Sequence, residues 1–248
     1  GRDILAYLLA QDLPTDGVAV VDDAPTGIVT VALDDRGVPT YTIHEPAAWD
    51  CMPSVASLEI AAGADVVCFG TLAQRQAQSR EAIHTFLEHT PADSWRVLDV
   101  NFRLGTYTAE IIEQSLTAAN VLKINDDELE ILRTFYELPA GEEAALRALA
   151  ERFELHVAVL TRGAAGSLAI SGAASSEQRV IATEIVDTVG AGDAFGAAFV
   201  VALDAGQPLD DAHALAAQVA AFVCSQSGAM SPLPKEVLRQ WDRRDPTA

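Results

Sequence analysis

Short apolar runs alternate with longer segments of helical spacing over most of the chain. The apolar runs predict buried strands at 66–70, 96–100, 121–124, 157–161, 167–170 and 180–185. The longer segments predict helices at 73–89, 109–119, 127–135, 142–153, about 194–204 and 210–226. Strands that alternate with helices pack as a mainly parallel sheet covered on both faces, so we expect an α/β fold.

A β-hairpin is predicted ahead of this alternation. Residues 29–33 and 40–43 alternate between apolar and polar positions on either side of Asp34-Asp35-Arg36-Gly37, which is a turn sequence. Because the hairpin precedes the strand and helix alternation, we expect a small β element that stands off the main sheet.

Composition narrows the function classes. Half of the 248 residues are hydrophobic, and the net charge of −20 argues against nucleic acid or an anionic membrane as a partner. No apolar run approaches the roughly 20 residues of a membrane span. The three cysteines lack metal-ligand spacing, and the apolar surroundings of Cys68 and Cys224 predict buried thiols. These features favour a reduced, cytoplasmic setting.

Polar residues follow several of the predicted strands. Asn101, Asn125, residues 161–163 and residues 190–193 all come at or just after a strand end or at a helix start. Ligands of open α/β sheets bind beyond the carboxyl ends of the strands, so these residues are the candidates for a binding site.

The most informative of these segments runs from Val186 to Phe195 and reads VDTVGAGDAF. Its two glycines stand where an extended segment meets a helix, and the free N–H groups of a first helical turn bind anions. A carboxylate there would repel phosphate, but Asp193 can take a proton from an attacking hydroxyl while the N–H groups hold developing charge. The alternative is a plain strand–turn–helix corner with Asp193 as an N-terminal cap.

This run resembles the second signature of the ribokinase-like (PfkB-type) sugar kinases, and the chain as a whole is most similar to bacterial fructokinases. The resemblance implies a three-layer α/β/α sandwich with a mainly parallel sheet and a small β lid at about 26–46. It implies ATP-dependent phosphoryl transfer to a primary hydroxyl of a sugar, with Asp193 as the base. The N–H groups of Gly190, Ala191, Gly192 and Asp193 would form the anion hole, and Asp193 would also contact the substrate.

Two further segments match motifs that serve the nucleotide in this family. Lys123-Ile124-Asn125-Asp126-Asp127-Glu128 resembles the Asn-x-x-Glu motif. The resemblance implies that Glu128 orders Mg²⁺ through water, with Lys123 and Asn125 near the phosphates. Since Mg²⁺ needs few protein ligands, one Glu and one amide suffice. Read without the resemblance, the segment is equally a helix cap with acids that complement the helix dipole.

The second nucleotide segment is Thr161-Arg162-Gly163-Ala164-Ala165-Gly166, which matches the family's Thr-x-Gly-x-x-Gly turn. The resemblance places Thr161, Arg162, Gly163 and Gly166 against the nucleotide. Taken alone, such a turn usually closes a hairpin, and Arg162 is as well explained as a solvated side chain.

The segment Asp99-Val100-Asn101-Phe102-Arg103 resembles the strand end DxNxR of sugar kinases close to fructokinase. The resemblance places Asn101 and Arg103 near the sugar or the transferred phosphoryl group. The alternative is a polar strand end with a surface arginine.

A monovalent cation, such as K⁺, is implied by two more matches. Residues 223–229 resemble a C-terminal loop that holds such an ion in many relatives, together with the Asp-Thr pair before the anion hole. The positions that match are Asp187, Thr188, Val223 and Gly228. A cation there would orient the backbone dipoles of the anion hole.

The resemblance covers almost the whole chain as a single kinase domain, but it starts partway into the family's fold. We therefore expect an omitted N-terminal segment that carries part of the sugar site. Fructose is the first substrate to expect. Ribose, 2-keto-3-deoxygluconate, a nucleoside and a catalytically silent nucleotide-binding homologue are the alternatives. The edge of the lid hairpin makes a homodimer plausible.

Overall fold

The computed structural model describes residues 1–33, 39–53, 58–103 and 105–238. The helices in these ranges are α1 (Arg2–Ala10), α2 (Leu58–Ala62), α3 (Ala77–Glu88), α4 (Ala109–Ala118), α5 (Asp126–Tyr136), α6 (Glu142–Arg152), α7 (Ala191–Asp204), α8 (Leu209–Cys224) and α9 (Lys235–Leu238). The strands are β1 (Val29–Leu33), β2 (Pro39–Ile43), β3 (Val66–Phe69), β4 (Trp95–Asp99), β5 (Val121–Asn125), β6 (Val157–Thr161), β7 (Ser167–Ser171) and β8 (Ala174–Gln178).

The chain divides into two compact units. The first contains Gly1–Ala64, Thr71–Ala92 and Arg103–Tyr107, and the second contains Asp65–Gly70, Asp93–Phe102 and the chain from Thr108 onward. Each is described by itself below.

The first unit contains the predicted hairpin. Strands β1 and β2 pair antiparallel, with Val29 opposite Ile43, which confirms the strands of the hairpin. The predicted turn at 34–37 lies outside the described residues. Elsewhere in this unit, the guanidinium of Arg75 binds both carboxylate oxygens of Asp50 at 2.8 and 2.7 Å and Glu45 at 2.6 Å. These bonds hold the pKa of Asp50 below its ordinary value and tie two distant segments together.

The second unit contains a six-stranded sheet in the order β3-β4-β5-β6-β7-β8. Strands β3 to β6 are parallel, and β7 and β8 join as an antiparallel hairpin. One face of the sheet packs on α7 and α8, in a buried cluster that includes Val97, Val121 and Val159. Successive side chains of a strand point to opposite faces, so Leu98, Leu122 and Leu160 cover the other face, where α4, α5 and α6 pack. This is the three-layer arrangement that the sequence predicts.

A polar group lies within the α7/α8 side of this core. His213 of α8 is 0 % exposed, and its ring nitrogens bind Ser167 at 2.7 Å and Ser176 at 3.0 Å. Phe195 and Phe199 of α7 contact the ring edge-on. Burial lowers the pKa of His213 to about 4, so the ring is neutral at physiological pH and links α7 and α8 to β7 and β8.

One predicted strand is wrong. Residues 180–185 pair with no strand in the part of the chain that the structure describes, and Val180, Ile181 and Ile185 are exposed. Strand β8 at Ala174–Gln178 takes the place beside β7. Strand β8 reads ASSEQ and has no apolar alternation, because a strand that pairs on one side can be held by backbone hydrogen bonds with little apolar burial. Apolar periodicity therefore missed it.

Two smaller expectations also need correction. Cys68 is exposed and Cys224 is half-buried, so neither is the buried thiol predicted. Strand β3, which carries Cys68, is the first strand in the sheet order and is only partly covered. The segment predicted as one helix at 73–89 begins as a 3-10 turn at Leu72–Arg75, and α3 follows it.

Candidate active site

The carboxyl ends of β4, β5 and β6 lie side by side, as parallel strands require. Asp99 is the register partner of Lys123, and Asn125 is the register partner of Thr161. Asn101 follows two residues after the end of β4. The structure thus brings four of the predicted site residues to one edge of the sheet: Asn101, Lys123, Asn125 and Thr161.

The N-terminus of α7 is built on glycine. Gly190 is the N-cap, with φ of +80°, a left-handed conformation that glycine adopts without strain. A Cβ atom at this position would lie 2.6 Å from Cβ of Ala229, so the 228–230 segment also requires glycine here. A glycine cap has no side chain to accept from the first-turn N–H groups. The N–H of Ala191 donates to the carbonyl of Thr188 at 3.3 Å, and the N–H groups of Gly192 and Asp193 are left available to an anion. Asp193 lies in that first turn and is exposed.

Asp187 holds the loop that leads into α7. Its carboxylate accepts hydrogen bonds from the N–H groups of Val189 at 3.0 Å and Gly228 at 3.1 Å. These bonds lower the pKa of Asp187. Val186 and Asp187 also donate to the carbonyl of Cys224, at the end of α8.

The residues predicted to hold a monovalent cation are therefore partly brought together. Asp187 and Gly228 are in direct contact, and Thr188 lies next to Asp187 with its carbonyl accepting from Ala191. Val223 is buried in the last turn of α8, one residue before Cys224. One carboxylate amid backbone carbonyls suits a singly charged ion, and the described residues hold no group of three or more His, Cys, Asp and Glu for a metal.

The N-terminus of α5 is closed by its own side chains. Asn125 is the N-cap and accepts from the N–H of Glu128 at 2.8 Å, while Glu128 Oε2 accepts from the N–H of Asn125 at 2.8 Å. Glu128 Oε1 accepts from the N–H of Phe102 at 3.0 Å. Burial raises the pKa of Glu128. The hydrogen bonds from these two N–H groups lower this pKa, but the net shift is upward. Glu128 thus completes a capping box with Asn125, and its carboxylate also connects the segment after β4 to the end of β5.

This arrangement fits Mg²⁺ in one way. Glu128 is 5 % exposed and each oxygen already accepts one N–H, so the carboxylate suits a metal-bound water better than direct coordination. The residues present fit an Mg²⁺ ion that is coordinated mainly by nucleotide phosphates, with Glu128 and Asn125 nearby.

Lys123 has a partner that the sequence did not reveal. Its ammonium lies 2.7 Å from Asp99 Oδ2, and the residue is 8 % exposed. The side chain packs against α7, where a Cβ atom on Gly196 would lie 3.2 Å from Lys123 Cδ. A possible signal was the spacing of Gly192 and Gly196, which places both glycines on one face of the helix.

The segment after β4 carries the predicted substrate residues. Asn101 has φ of +45°, an uncommon left-handed conformation for a residue other than glycine, and it is exposed. The N–H of Phe102, next to it, is held by Glu128. Arg103 belongs to the first unit, where its carbonyl accepts two hydrogen bonds from Thr106.

The turn after β6 has the predicted glycines. Gly166 has φ of +90°, and a Cβ atom there would lie 2.1 Å from the carbonyl oxygen of Gln178. Thr161 Oγ1 donates to the carbonyl of Ile124 at 3.3 Å. Gly163 is also left-handed, with φ of +51°.

Arg162 in this turn is already bound. Its guanidinium donates to Glu177 at 2.8 Å and Glu142 at 3.0 Å, and these bonds raise its pKa. Two carboxylates offset its charge in this structure, so its contact with a nucleotide stays a prediction.

No helix among the described residues is both long enough and apolar enough to cross a membrane.

A search of family models matches residues 1–236 to the pfkB family of carbohydrate kinases. Among curated relatives, a fructokinase of Salmonella typhimurium is 27% identical over 246 residues, which cover 94% of this chain and 79% of the relative. A ribokinase of Arabidopsis thaliana is 29% identical over 96% of this chain and 65% of its own length.

The solved structures agree on the fold. A fructokinase with bound ATP from Xylella fastidiosa superposes with a TM-score of 0.84 at 20% identity, covering 98% of this chain and 81% of that chain. At that identity the likeness shows the fold alone. The family match spans nearly the whole chain. The matched residues include the glycine-capped helix, the acid in its first turn and the ribokinase-like sheet. The chain belongs to the pfkB family of carbohydrate kinases, which are phosphotransferases with an alcohol group as acceptor.

Proposed function

We propose that this protein transfers the γ-phosphoryl group of MgATP to a primary hydroxyl of a sugar, with fructose as the first candidate. The observation that carries the proposal is the N-terminus of α7, where a left-handed glycine cap precedes an exposed Asp193 in the first turn. Relatives named fructokinase support the choice of sugar.

Asp193 is the general base in this reaction. Its carboxylate accepts the proton of the sugar hydroxyl as the hydroxyl oxygen forms a bond to the γ-phosphorus. The bond between that phosphorus and the bridging β–γ oxygen breaks, and ADP leaves with the electron pair. The N–H groups of Gly190, Ala191, Gly192 and Asp193 hold the charge that develops on the transferring group.

The remaining motifs position the two substrates. Asn125, Lys123 and the turn from Thr161 to Gly166, which includes Arg162 and Gly163, bind the nucleotide. Asn101 and Arg103 bind the sugar. Glu128 and Asn125 are the residues that would hold Mg²⁺, and the bound ion would neutralise phosphate charge. Asp187, Thr188, Val223 and Gly228 are the residues that would hold K⁺, which would orient the backbone dipoles of the anion hole.

The lid and the cellular setting belong to the same proposal. Ile28, Val29 and Val31 of the hairpin are exposed apolar residues, which favours the pairing of two lids in a homodimer. Sedimentation of the purified protein at several concentrations tests this. The composition favours a cytoplasmic enzyme.

The first experiment is coupled ADP release from MgATP with fructose, ribose, 2-keto-3-deoxygluconate and adenosine, each with and without K⁺. Turnover on fructose alone supports the full proposal. Turnover on another acceptor keeps the mechanism and replaces the sugar. Calorimetric ATP binding without turnover on any acceptor would identify a silent nucleotide-binding homologue and overturn the proposal.

A further inference from the structure

We infer that His213 is a positioning residue for nucleotide binding: through Ser167 it holds the turn from Thr161 to Gly166 in the shape that receives ATP. The inference rests on the proposed function of that turn. His213 is 0 % exposed, so it acts through the residues that it contacts and not by touching the nucleotide. It brings α8 into the nucleotide site from a position outside the predicted motifs.

The link between the ring and the turn is short. Ser167 begins β7 and directly follows Gly166, the last residue of the turn. Its buried hydroxyl oxygen lies 2.7 Å from Nε2 of His213. One hydrogen bond and one peptide bond therefore separate the side chain of α8 from the end of the turn.

The second ring nitrogen fixes the ring between the two strands of the β7/β8 hairpin. Nδ1 lies 3.0 Å from the hydroxyl oxygen of Ser176 in β8. Ser176 is the register partner of Ala169, which lies two positions after Ser167 and therefore on the same face of β7. Because each nitrogen binds one strand, the ring cannot shift without breaking a hydrogen bond. It thus sets the position of Ser167 relative to β8.

The turn itself is closed by backbone contacts. The N–H of Arg162 donates to the carbonyl of Gly166 at 2.8 Å, and the N–H of Gly166 donates to the carbonyl of Gly163 at 3.1 Å. A Cβ atom on Gly166 would lie 2.1 Å from the carbonyl oxygen of Gln178, so the turn also lies directly on the end of β8. A displacement of Ser167 is therefore passed to the whole turn rather than absorbed within it.

The choice of histidine at this point is the second observation. Among the residues that the structure describes, His213 is the one buried histidine. Phe195 and Phe199 contact its ring, and an apolar side chain would pack there without the cost of burying polar groups. A satisfied buried network specifies one geometry more than it adds stability. The geometry specified here is that of the strand that starts at the nucleotide turn, and this accounts for the histidine.

His213→Leu tests the link, since leucine is apolar and removes both hydrogen bonds. We expect the Kd for MgADP and the KM for MgATP to rise roughly five- to tenfold, which is the usual worth of one hydrogen bond. The kcat at saturating MgATP should change by less than about twofold, because the general base and the anion hole of α7 lie outside this link. A lower kcat with unchanged Kd and KM would overturn the inference.

His213→Gln tests whether the hydrogen bond is what matters. The glutamine amide keeps both a donor and an acceptor, so it can bind Ser167 in place of the ring. The Kd for MgADP should then rise by less than about threefold. If glutamine weakens MgADP as much as leucine does, the inference is wrong.

Ser167→Ala removes only a hydroxyl and keeps the test valid if His213→Leu does not fold. It should raise the Kd for MgADP by a similar factor. Combined with His213→Leu it should add nothing, because both changes break the same hydrogen bond. Additive increases, or a wild-type Kd in Ser167→Ala, would overturn the inference.

Asn120→Ala is the matched control for a merely structural role. Asn120 is also buried and polar, and its side chain accepts from the N–H of Arg96 and donates to the carbonyl of Ser94, each at 2.8 Å. It directly precedes β5, at the edge of the sheet opposite the turn. The variant should lower the thermal midpoint but keep the wild-type Kd for MgADP. An equal rise of Kd in Asn120→Ala and His213→Leu would reduce the effect to lost stability and overturn the inference.

Failure of the proposed function is distinguishable from failure of this inference. If the wild type binds MgADP but phosphorylates no acceptor, the proposed function fails, and the calorimetric Kd values alone still decide the inference. If the wild type transfers phosphate but His213→Leu and Ser167→Ala keep its Kd, the inference alone fails. If the wild type binds no nucleotide, both fall together.

Discussion

The N-termini of α5 and α7 both point to the candidate site, but they are capped in opposite ways. Asn125 and Glu128 exchange hydrogen bonds at the start of α5, so its first-turn N–H groups are partly satisfied from within. α7 starts at Gly190, which offers no side-chain acceptor. A helix that caps itself is stabilised, and a helix that leaves its N–H groups open can bind an anion. The difference supports our proposal that α7 takes part in the chemistry and that α5 has a supporting role.

The largest expected effect follows from removing the acid of the open terminus. Asp193→Asn should lower kcat by roughly 10²–10⁴-fold, because the amide cannot accept the hydroxyl proton, while ATP binding changes little. Steady-state kinetics and calorimetry with MgATP measure both quantities. Asp211→Asn, an exposed acid in the first turn of α8, is the control and should keep wild-type kcat. Near-wild-type turnover of Asp193→Asn would show that the acid in the first turn of α7 takes no part in the chemistry.

The glycine cap itself comes next. Gly190→Ala combines a left-handed φ of +80° with a contact of 2.6 Å to Ala229, so we expect a loss of about 2–4 kcal/mol in unfolding free energy and loss of most turnover. Gly206→Ala shares the backbone strain, with φ of +75°, but a Cβ atom there meets nothing within 4 Å. It should cost only about 1–2 kcal/mol and keep its activity. Urea unfolding and kcat separate the two; equal effects would mean that the packing on Ala229 does not matter.

The contrast between the two helix ends also shows what sequence can predict. Both motifs were found because each is a continuous run whose residue types have local meaning, and the strands β3 to β7 follow from apolar runs. The Lys123–Asp99 pair joins residues 24 positions apart, through the register of two parallel strands, and no local pattern contains that register.

Other misses have the same physical origin. Strand β8 is polar and depends on pairing with β7, and the apolar residues at 180–185 lie exposed without a partner strand. Periodicity reports which residues would gain from burial. It does not report which neighbouring strand or helix provides the burial.

The support behind α7 should respond to acid. The pKa of His213 is about 4 in the fold against 6.5 for a free ring, so the folded state keeps the ring neutral while the unfolded state binds a proton. Stability from this group is complete above pH 6.5 and is lost as pH falls toward 4, with a loss of roughly 2 kcal/mol at pH 5. Ser167, Ser176, Phe195 and Phe199 contact the ring, and Asp210 and Arg162 are the charges that act on it.

Urea unfolding between pH 7 and pH 5 measures this loss. His213→Gln lacks the titrating ring, so its unfolding free energy should depend less on pH over this range, whatever its stability at pH 7. If that variant does not fold, the ring of the wild type can be followed by NMR and should remain neutral at pH 5. A ring that titrates near 6.5 in the folded protein would contradict the prediction.

The smallest effect tests whether the closed terminus of α5 is purely structural. Glu128→Gln keeps one acceptor but loses the charge, so unfolding free energy should fall by about 1 kcal/mol. If Glu128 also orders metal-bound water, the Mg²⁺ concentration for half-maximal rate should rise several-fold. Thr108→Ala, which removes the side-chain cap of α4 at Ile111, should cost a similar stability and leave the Mg²⁺ dependence unchanged. Identical Mg²⁺ dependence in both variants would restrict Glu128 to capping, and α7 would then carry the charge chemistry without help from α5.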